Sequence, residues 1–207
     1  MDYLHDFTVN FAVKDKKNRK GLFFILSGPS GVGKNTLLYR ALKRLAGIYS
    51  LPSITTRSLR PGEKQGFPYY FISKELFKKM IAADVFLEWK QIHTGNYYGT
   101  HLPTVTYALA NGYDILTDMD VLGCLEVMER YPANVISIFI APPSIEELRR
   151  RLLKRGGEPQ AINKRLERVA MEMGYVDKYR YMILNDDLAR ASNELVQIIK
   201  KYSRTYL

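Results

Sequence analysis

The stretch Gly28-Pro29-Ser30-Gly31-Val32-Gly33-Lys34-Asn35-Thr36 follows the apolar run Leu22-Phe23-Phe24-Ile25-Leu26 and leads into Leu37-Leu38-Tyr39-Arg40-Ala41-Leu42. That order reads as strand, glycine loop and helix, the setting a phosphate-binding loop requires. The glycines let the backbone curl so that successive N–H groups point inward, and the helix N-terminus adds partial positive charge. Lys34 brings a point charge for the terminal phosphates of a nucleoside triphosphate. One position departs from the pattern. Where Ser or Thr normally follows the lysine and supplies a hydroxyl to Mg²⁺, this chain has Asn35, with Thr36 next. The amide oxygen of Asn35 is a hard donor that can ligate metal directly or through water.

Working outward, residues 53–66 are polar, turn-rich and β-leaning, which predicts short strands and exposed loops. A strand is expected at Tyr69-Tyr70-Phe71-Ile72, a helix over 75–82 capped by Ser73, and a further strand at Phe86-Leu87-Glu88-Trp89. The pattern then alternates: helix over 102–111, strand over 113–118, helix to 130, strand over 135–140, helix over 145–154 opened by Pro142-Pro143-Ser144. After a turn at 155–159 come a helix over 160–174, a strand at Met182-Ile183-Leu184 and an amphipathic helix over 187–203. Strands alternating with helices imply an α/β fold, a P-loop-type parallel sheet flanked by helices. The expected organisation is a basic N-terminal extension over 1–20, then one domain over 21–207. Within it a core spans 21–52 and 101–207, an inserted lobe about 53–100 and a helical lid about 150–168.

A chain of 207 residues with 46% hydrophobic content suits one globular domain. The net charge of +10 calls for anionic company, either nucleic acid or small phosphorylated ligands. Part of it lies in Lys14-Asp15-Lys16-Lys17-Asn18-Arg19-Lys20, read as a solvated tail, and most of the rest flanks the motifs below, which favours phosphorylated ligands over nucleic acid. The single cysteine, Cys124, sits in an apolar-leaning segment and reads as a packed thiol in a reducing compartment. The start Met1-Asp2-Tyr3-Leu4-His5-Asp6 lacks the basic-then-apolar pattern of a secretory signal, and no run reaches the roughly 18 apolar residues of a membrane span. A cytoplasmic protein without a membrane partner is expected. His5, His93 and His101 have no metal-ligand spacing.

Arg57 and Arg60 stand three apart in a loop with Pro61 and Gly62, so two planar donor forks can converge on one phosphate, and Tyr69 and Tyr98 can add hydroxyls. Asp118 ends a strand, where a carboxylate can hold Mg²⁺ waters or orient arginines, and a buried ion pair is the alternative. Further motifs run in order: Ser53 with Thr55-Thr56-Arg57, Arg60-Pro61-Gly62-Glu63, Gly95-Asn96-Tyr97-Tyr98-Gly99-Thr100, Asp118-Met119-Asp120 with Gly123, Ala141-Pro142-Pro143-Ser144, Ile162-Asn163-Lys164-Arg165-Leu166 and Leu184-Asn185-Asp186-Asp187. Together with the loop they resemble the guanylate kinases, which move a phosphoryl group from ATP to GMP.

The resemblance implies that the inserted lobe binds GMP through Ser53, Arg57, Arg60, Tyr69, Glu88, Tyr98, Thr100 and Asp120. The arginines and tyrosines would take the phosphate, the two acids the N1–H and N2 amino donors of guanine, and Ser53 and Thr100 its other polar atoms. Adenine offers no donor at N1 and would leave those oxygens unpaired, a discrimination that can reach about 10⁴. Other readings of the acids are an exposed strand residue for Glu88 and a helix N-cap for Asp120. The resemblance also implies that Arg151, Arg155 and Arg165 reach the ATP phosphates, that Gly156-Gly157 hinges their segment, and that Asn185 lies near adenine. Arg150 and Arg168 could assist. The catalytic set is then Lys34, Arg57, Arg151, Arg155, Arg165 and Asp118, with Mg²⁺ as cofactor held by Asn35 or Thr36 and Asp118, partly through water. Asn35 and Leu122, the latter standing where the family has a glutamine, leave a second reading open: a catalytically weak module that binds phosphorylated ligands.

Overall fold

The computed structural model describes Phe7, Val9, Phe11 and residues 19–92, 95–154 and 159–203. Arg155 and the glycine pair at 156 and 157 lie outside the described residues. In chain order the elements are β1 (Phe23–Ser27), α1 (Lys34–Leu42), β2 (Ile48–Ser50), β3 (Ser53–Thr55), β4 (Lys64–Gln65), β5 (Pro68–Phe71), α2 (Lys74–Ala82), β6 (Phe86–Gln91) and β7 (Tyr97–His101). They continue as α3 (Leu102–Ala110), β8 (Asp114–Asp118), α4 (Val121–Arg130), β9 (Val135–Ala141), α5 (Ile145–Lys154), α6 (Pro159–Met173), β10 (Tyr181–Leu184) and α7 (Leu188–Tyr202). Two compact units divide them, one built on Tyr49–Thr117 with the described residues up to Leu22, the other on Phe23–Ile48 with Asp118–Leu207.

In the second unit β10, β9 and β1 lie side by side and parallel, with Phe23 opposite Val135 and Leu184 opposite Ala141. Both β1 and β9 are buried along their whole length, as strands covered on two faces must be. Helices flank them. The α1 helix buries Leu37, Leu38 and Ala41, and α7 buries Ala191, Leu195, Val196, Ile198 and Ile199. Cys124, in no disulfide, is fully buried on α4. This is the α/β class, a parallel sheet flanked by helices.

The first unit holds β8 beside β2 and a second sheet in the order β4-β5-β3-β7-β6. One face of that second sheet packs on α2, whose Phe77 and Met80 are fully buried with Ile54 and Phe86. Ser73 caps α2 by accepting from the Leu76 N–H at 3.1 Å, as its position predicts. The lone tryptophan, Trp89 on β6, is 45% exposed with its ring 6.1 Å from Tyr97.

The reading of residues 14–20 as a solvated tail requires correction at Arg19. Its guanidinium lies 2.6 Å from the Asp114 carboxylate, which is wholly buried and also accepts from the Leu22 N–H at 3.0 Å. A buried carboxylate needs such partners, and a basic side chain from the extension supplies one. Phe7, 4% exposed, also belongs to the core.

Candidate active site

In the second unit the loop between β1 and α1 has the geometry its glycines permit. Gly28 has φ 126°, and a Cβ there would lie 2.3 Å from the Ile140 carbonyl oxygen, so no side chain fits. Gly33 has φ 106° and serves as the N-cap of α1 without a side-chain cap, and no acid stands in the first turn of that helix. No cap or acidic side chain there offsets the partial positive charge of the helix N-terminus, which favours an anion. The Lys34 ammonium donates to the Gly28 and Pro29 carbonyls at 2.6 and 3.2 Å. Asn35 and Thr36 occupy the first turn of α1, and Asp118 is the last residue of β8. Among the described residues no group of three or more His, Cys, Asp and Glu is placed to hold a metal ion.

Asn185 and Arg151 brace the loop. The Asn185 amide, 5% exposed, donates to the Val32 carbonyl at 2.7 Å. Arg151 donates to the Asn185 carbonyl at 2.9 Å and to Glu147 at 2.8 Å. Asn185 is thus a buried strut of the loop, a role its expected place near adenine did not foretell. Arg150, at 2.7 Å, and Arg151 together hold the Glu147 carboxyl down to about 2, Arg150 contributing more. Arg165 is half-buried on α6, and Arg168 lies 3.8 Å from Glu172. Asp120 is the N-cap of α4, accepting from the Leu122 and Gly123 N–H groups at 3.1 and 3.3 Å through one oxygen. Leu122 is 41% exposed.

In the first unit strand register gathers the other expected residues. Ser53 pairs with Tyr69, Thr55 with Tyr98, and Thr100 with Glu88. Paired residues point the same way, and so do residues two apart along a strand. Ser53, Tyr69, Tyr98, Thr100 and Glu88 therefore share one face, although they come from four strands. On that face the Thr100 hydroxyl, 1% exposed, donates to Glu88 Oε1 at 2.7 Å, and the rings of Tyr69 and Tyr98 meet edge-on at 5.8 Å.

Arg57 is anchored beside them. Two of its nitrogens donate to the two Glu63 oxygens at 2.8 and 2.9 Å, and its guanidinium lies 5.3 Å from the Tyr69 ring centroid and 5.2 Å from that of Phe71. The Glu63 hydrogen bond raises Arg57 above the ordinary arginine value against the opposing effect of burial, and Glu63 is held below the usual carboxylate range chiefly by the same bond. Glu63 also accepts from the Arg60 N–H at 2.9 Å, so one carboxylate shapes the whole Arg57–Arg60 loop. Sequence reasoning quoted Glu63 within a motif and gave it no role. Its six-residue separation from Arg57 across Pro61 and Gly62 was the available signal.

A sequence model of the guanylate kinase family matches residues 20–202. The chain belongs to the guanylate kinase family. It is 46% identical over 181 residues to a guanylate kinase of Symbiobacterium thermophilum, covering 87% of this chain and 85% of that one. With a guanylate kinase of Haemophilus influenzae it shares 41% identity over 184 residues, covering 87% and 88%. A crystal structure of guanylate kinase from Anaplasma phagocytophilum superposes with a TM-score of 0.72 at 31% identity, covering 91% of this chain and 89% of that one.

Proposed function

We propose that the residues above divide the guanylate kinase reaction, ATP plus GMP giving ADP plus GDP, between a donor side in the second unit and an acceptor side carried mainly by the first. The observation that carries this reading is the shared face of Ser53, Tyr69, Tyr98, Thr100 and Glu88 with Arg57 held beside it. A carboxylate next to a hydroxyl, with an arginine and two phenols along the same face, complements a guanine edge and a monophosphate.

On the donor side the loop from Gly28 to Thr36 wraps the ATP phosphates with backbone N–H groups. Lys34 exchanges the Gly28 and Pro29 carbonyls for phosphate oxygens, which are stronger acceptors for an ammonium. Arg151, supported by Glu147, and Arg165 add positive charge, and Arg155 belongs to the same set by family resemblance. Asn185 keeps the loop in shape. Asn35 or Thr36 with Asp118 offer only oxygen donors, the set a hard divalent cation takes, so these residues would hold Mg²⁺, partly through water, where it neutralises phosphate charge. Phosphoryl transfer asks little covalent chemistry of the protein, and alignment with charge stabilisation suffices.

On the acceptor side Arg57 and Arg60 with Tyr69 and Tyr98 grip the GMP phosphate. Glu88 and Asp120 accept from the guanine N1–H and N2 amino group, while Ser53 and Thr100 bond its remaining polar atoms. The test is an ADP-release assay with ATP and a panel of GMP, AMP, dTMP and UMP. GMP should dominate, and equal turnover of AMP would overturn the assignment of Glu88 and Asp120.

A further inference from the structure

Phe7 lies before the span the family model matches, yet it is 4% exposed. Its ring meets Tyr70 edge-on at 5.2 Å and His101 at 5.4 Å, and it packs among Ile54, Phe77, Met80 and Phe86. The main chain is held as well. Thr104 donates its hydroxyl to the Phe7 carbonyl at 3.3 Å, and the Thr104 Oγ1 lies 2.8 Å from His101 Nδ1. Further along, Phe11 enters a second aromatic group, stacked on Tyr113 at 4.5 Å with Tyr49 at 5.0 Å. Two anchored rings with a hydrogen-bonded carbonyl make a brace.

The residues that Phe7 touches identify what it supports. Ile54 lies between Ser53 and Thr55, Tyr70 follows Tyr69, and His101 follows Thr100. Strand alternation turns each of these to the face opposite its neighbour. Phe7 therefore fills the back of the sheet whose front carries Ser53, Tyr69, Tyr98, Thr100 and Glu88. Close-packed interiors transmit a lost ring as small strand shifts, and a site that reads its ligand through hydrogen bonds is sensitive to shifts of that size.

We propose that Phe7 is a positioning residue for the acceptor nucleotide, setting the strand spacing on which GMP recognition depends. This rests on the reading of the front face as the GMP site. Steady-state kinetics of the full chain with Phe7→Ala, Phe7→Leu and Glu88→Gln tests it. Phe7→Ala should raise the KM for GMP about tenfold while kcat and the KM for ATP move less than about twofold, and Phe7→Leu should recover most of the loss. A fall in kcat with both KM values unchanged, as a smaller folded fraction would give, or no change at all, overturns the inference. Should Phe7→Ala yield no folded protein, Thr104→Val removes the hold on the Phe7 carbonyl at nearly constant volume. A rise confined to the GMP KM then supports the brace, and its absence refutes it. Glu88→Gln separates two failures. If it leaves the GMP KM unaltered, the reading of the front face falls and the brace with it; if it raises that KM and Phe7→Ala does not, the brace alone is wrong.

Discussion

Arg57 is held in place, with both Glu63 oxygens bound and the rings of Tyr69 and Phe71 within reach of its guanidinium. An arginine so held loses little rotamer entropy on binding a phosphate. Removing it in Arg57→Ala should raise the KM for GMP about 10- to 100-fold, the loss of charge-assisted hydrogen bonds worth about 1.5–3 kcal/mol. Glu63→Gln should produce a smaller rise, about tenfold, through loosened orientation. Since the two residues form one unit, the double variant should cost less than the sum, a result steady-state kinetics with GMP can check. Asn35→Ser restores the usual hydroxyl after the loop lysine. It should retain or raise kcat, and a large fall in single-turnover rate would show that this loop is adapted to the amide. Glu63 was hidden in the sequence because its pairing depends on how the chain turns at Gly62, where φ is 85°. Arg57, by contrast, stands out in the sequence through its spacing to Arg60.

At the scale of elements, the loop and the strand ends around it form one braced object. Gly33 sits where a Cβ would come within 2.6 Å of the Asn185 amide nitrogen. Gly33→Ala should therefore both strain a left-handed residue and displace the Asn185 strut. A stability loss of about 1–3 kcal/mol is expected, seen as a lower thermal midpoint together with a raised KM for ATP. Most elements were readable. The helix over 145–154 appears as Ile145–Lys154, and the strand over 135–140 as Val135–Ala141, because long apolar or amphipathic runs have one consistent solution. The three-residue β2 and two-residue β4 were not separable, being too short to display a period. The common face of Ser53, Tyr69, Tyr98, Thr100 and Glu88 also needed the structure, since register between distant strands is a tertiary property.

For the whole molecule, acid stability has a specific source in the first unit. With the Thr104 hydroxyl donating to the Phe7 carbonyl, His101 Nδ1 must carry the proton, and Nε2 is buried with no hydrogen-bond partner. Protonation there would bury an unpaired N–H and a charge, so burial pushes the imidazole down to about 4. Between pH 6.5 and 4 the unfolded chain takes a proton that the folded chain refuses. Stability should fall across that window by up to about 3 kcal/mol and then level off with respect to this group. Denaturant titrations at pH 7 and pH 4 should show a smaller difference in His101→Asn than in the parent chain. The Glu147 pair acts in a lower window, between the ordinary carboxylate value and about 2, where protonation removes the hold on Arg151. No helix among the described residues is long and apolar enough to cross a membrane. The anchored Phe7 and Phe11 were passed over with the basic run that follows them, although Phe7, Val9, Phe11 and Val13 alternate with a period of two. Trp89 divides the molecule optically: the only indole lies in the first unit, whereas α1, α4, α5, α6 and α7 lie in the second. Tryptophan emission thus follows the first unit, whereas far-ultraviolet dichroism, to which α2 and α3 also contribute, is weighted toward the second, and coincident or split melting curves will show whether the two units unfold as one.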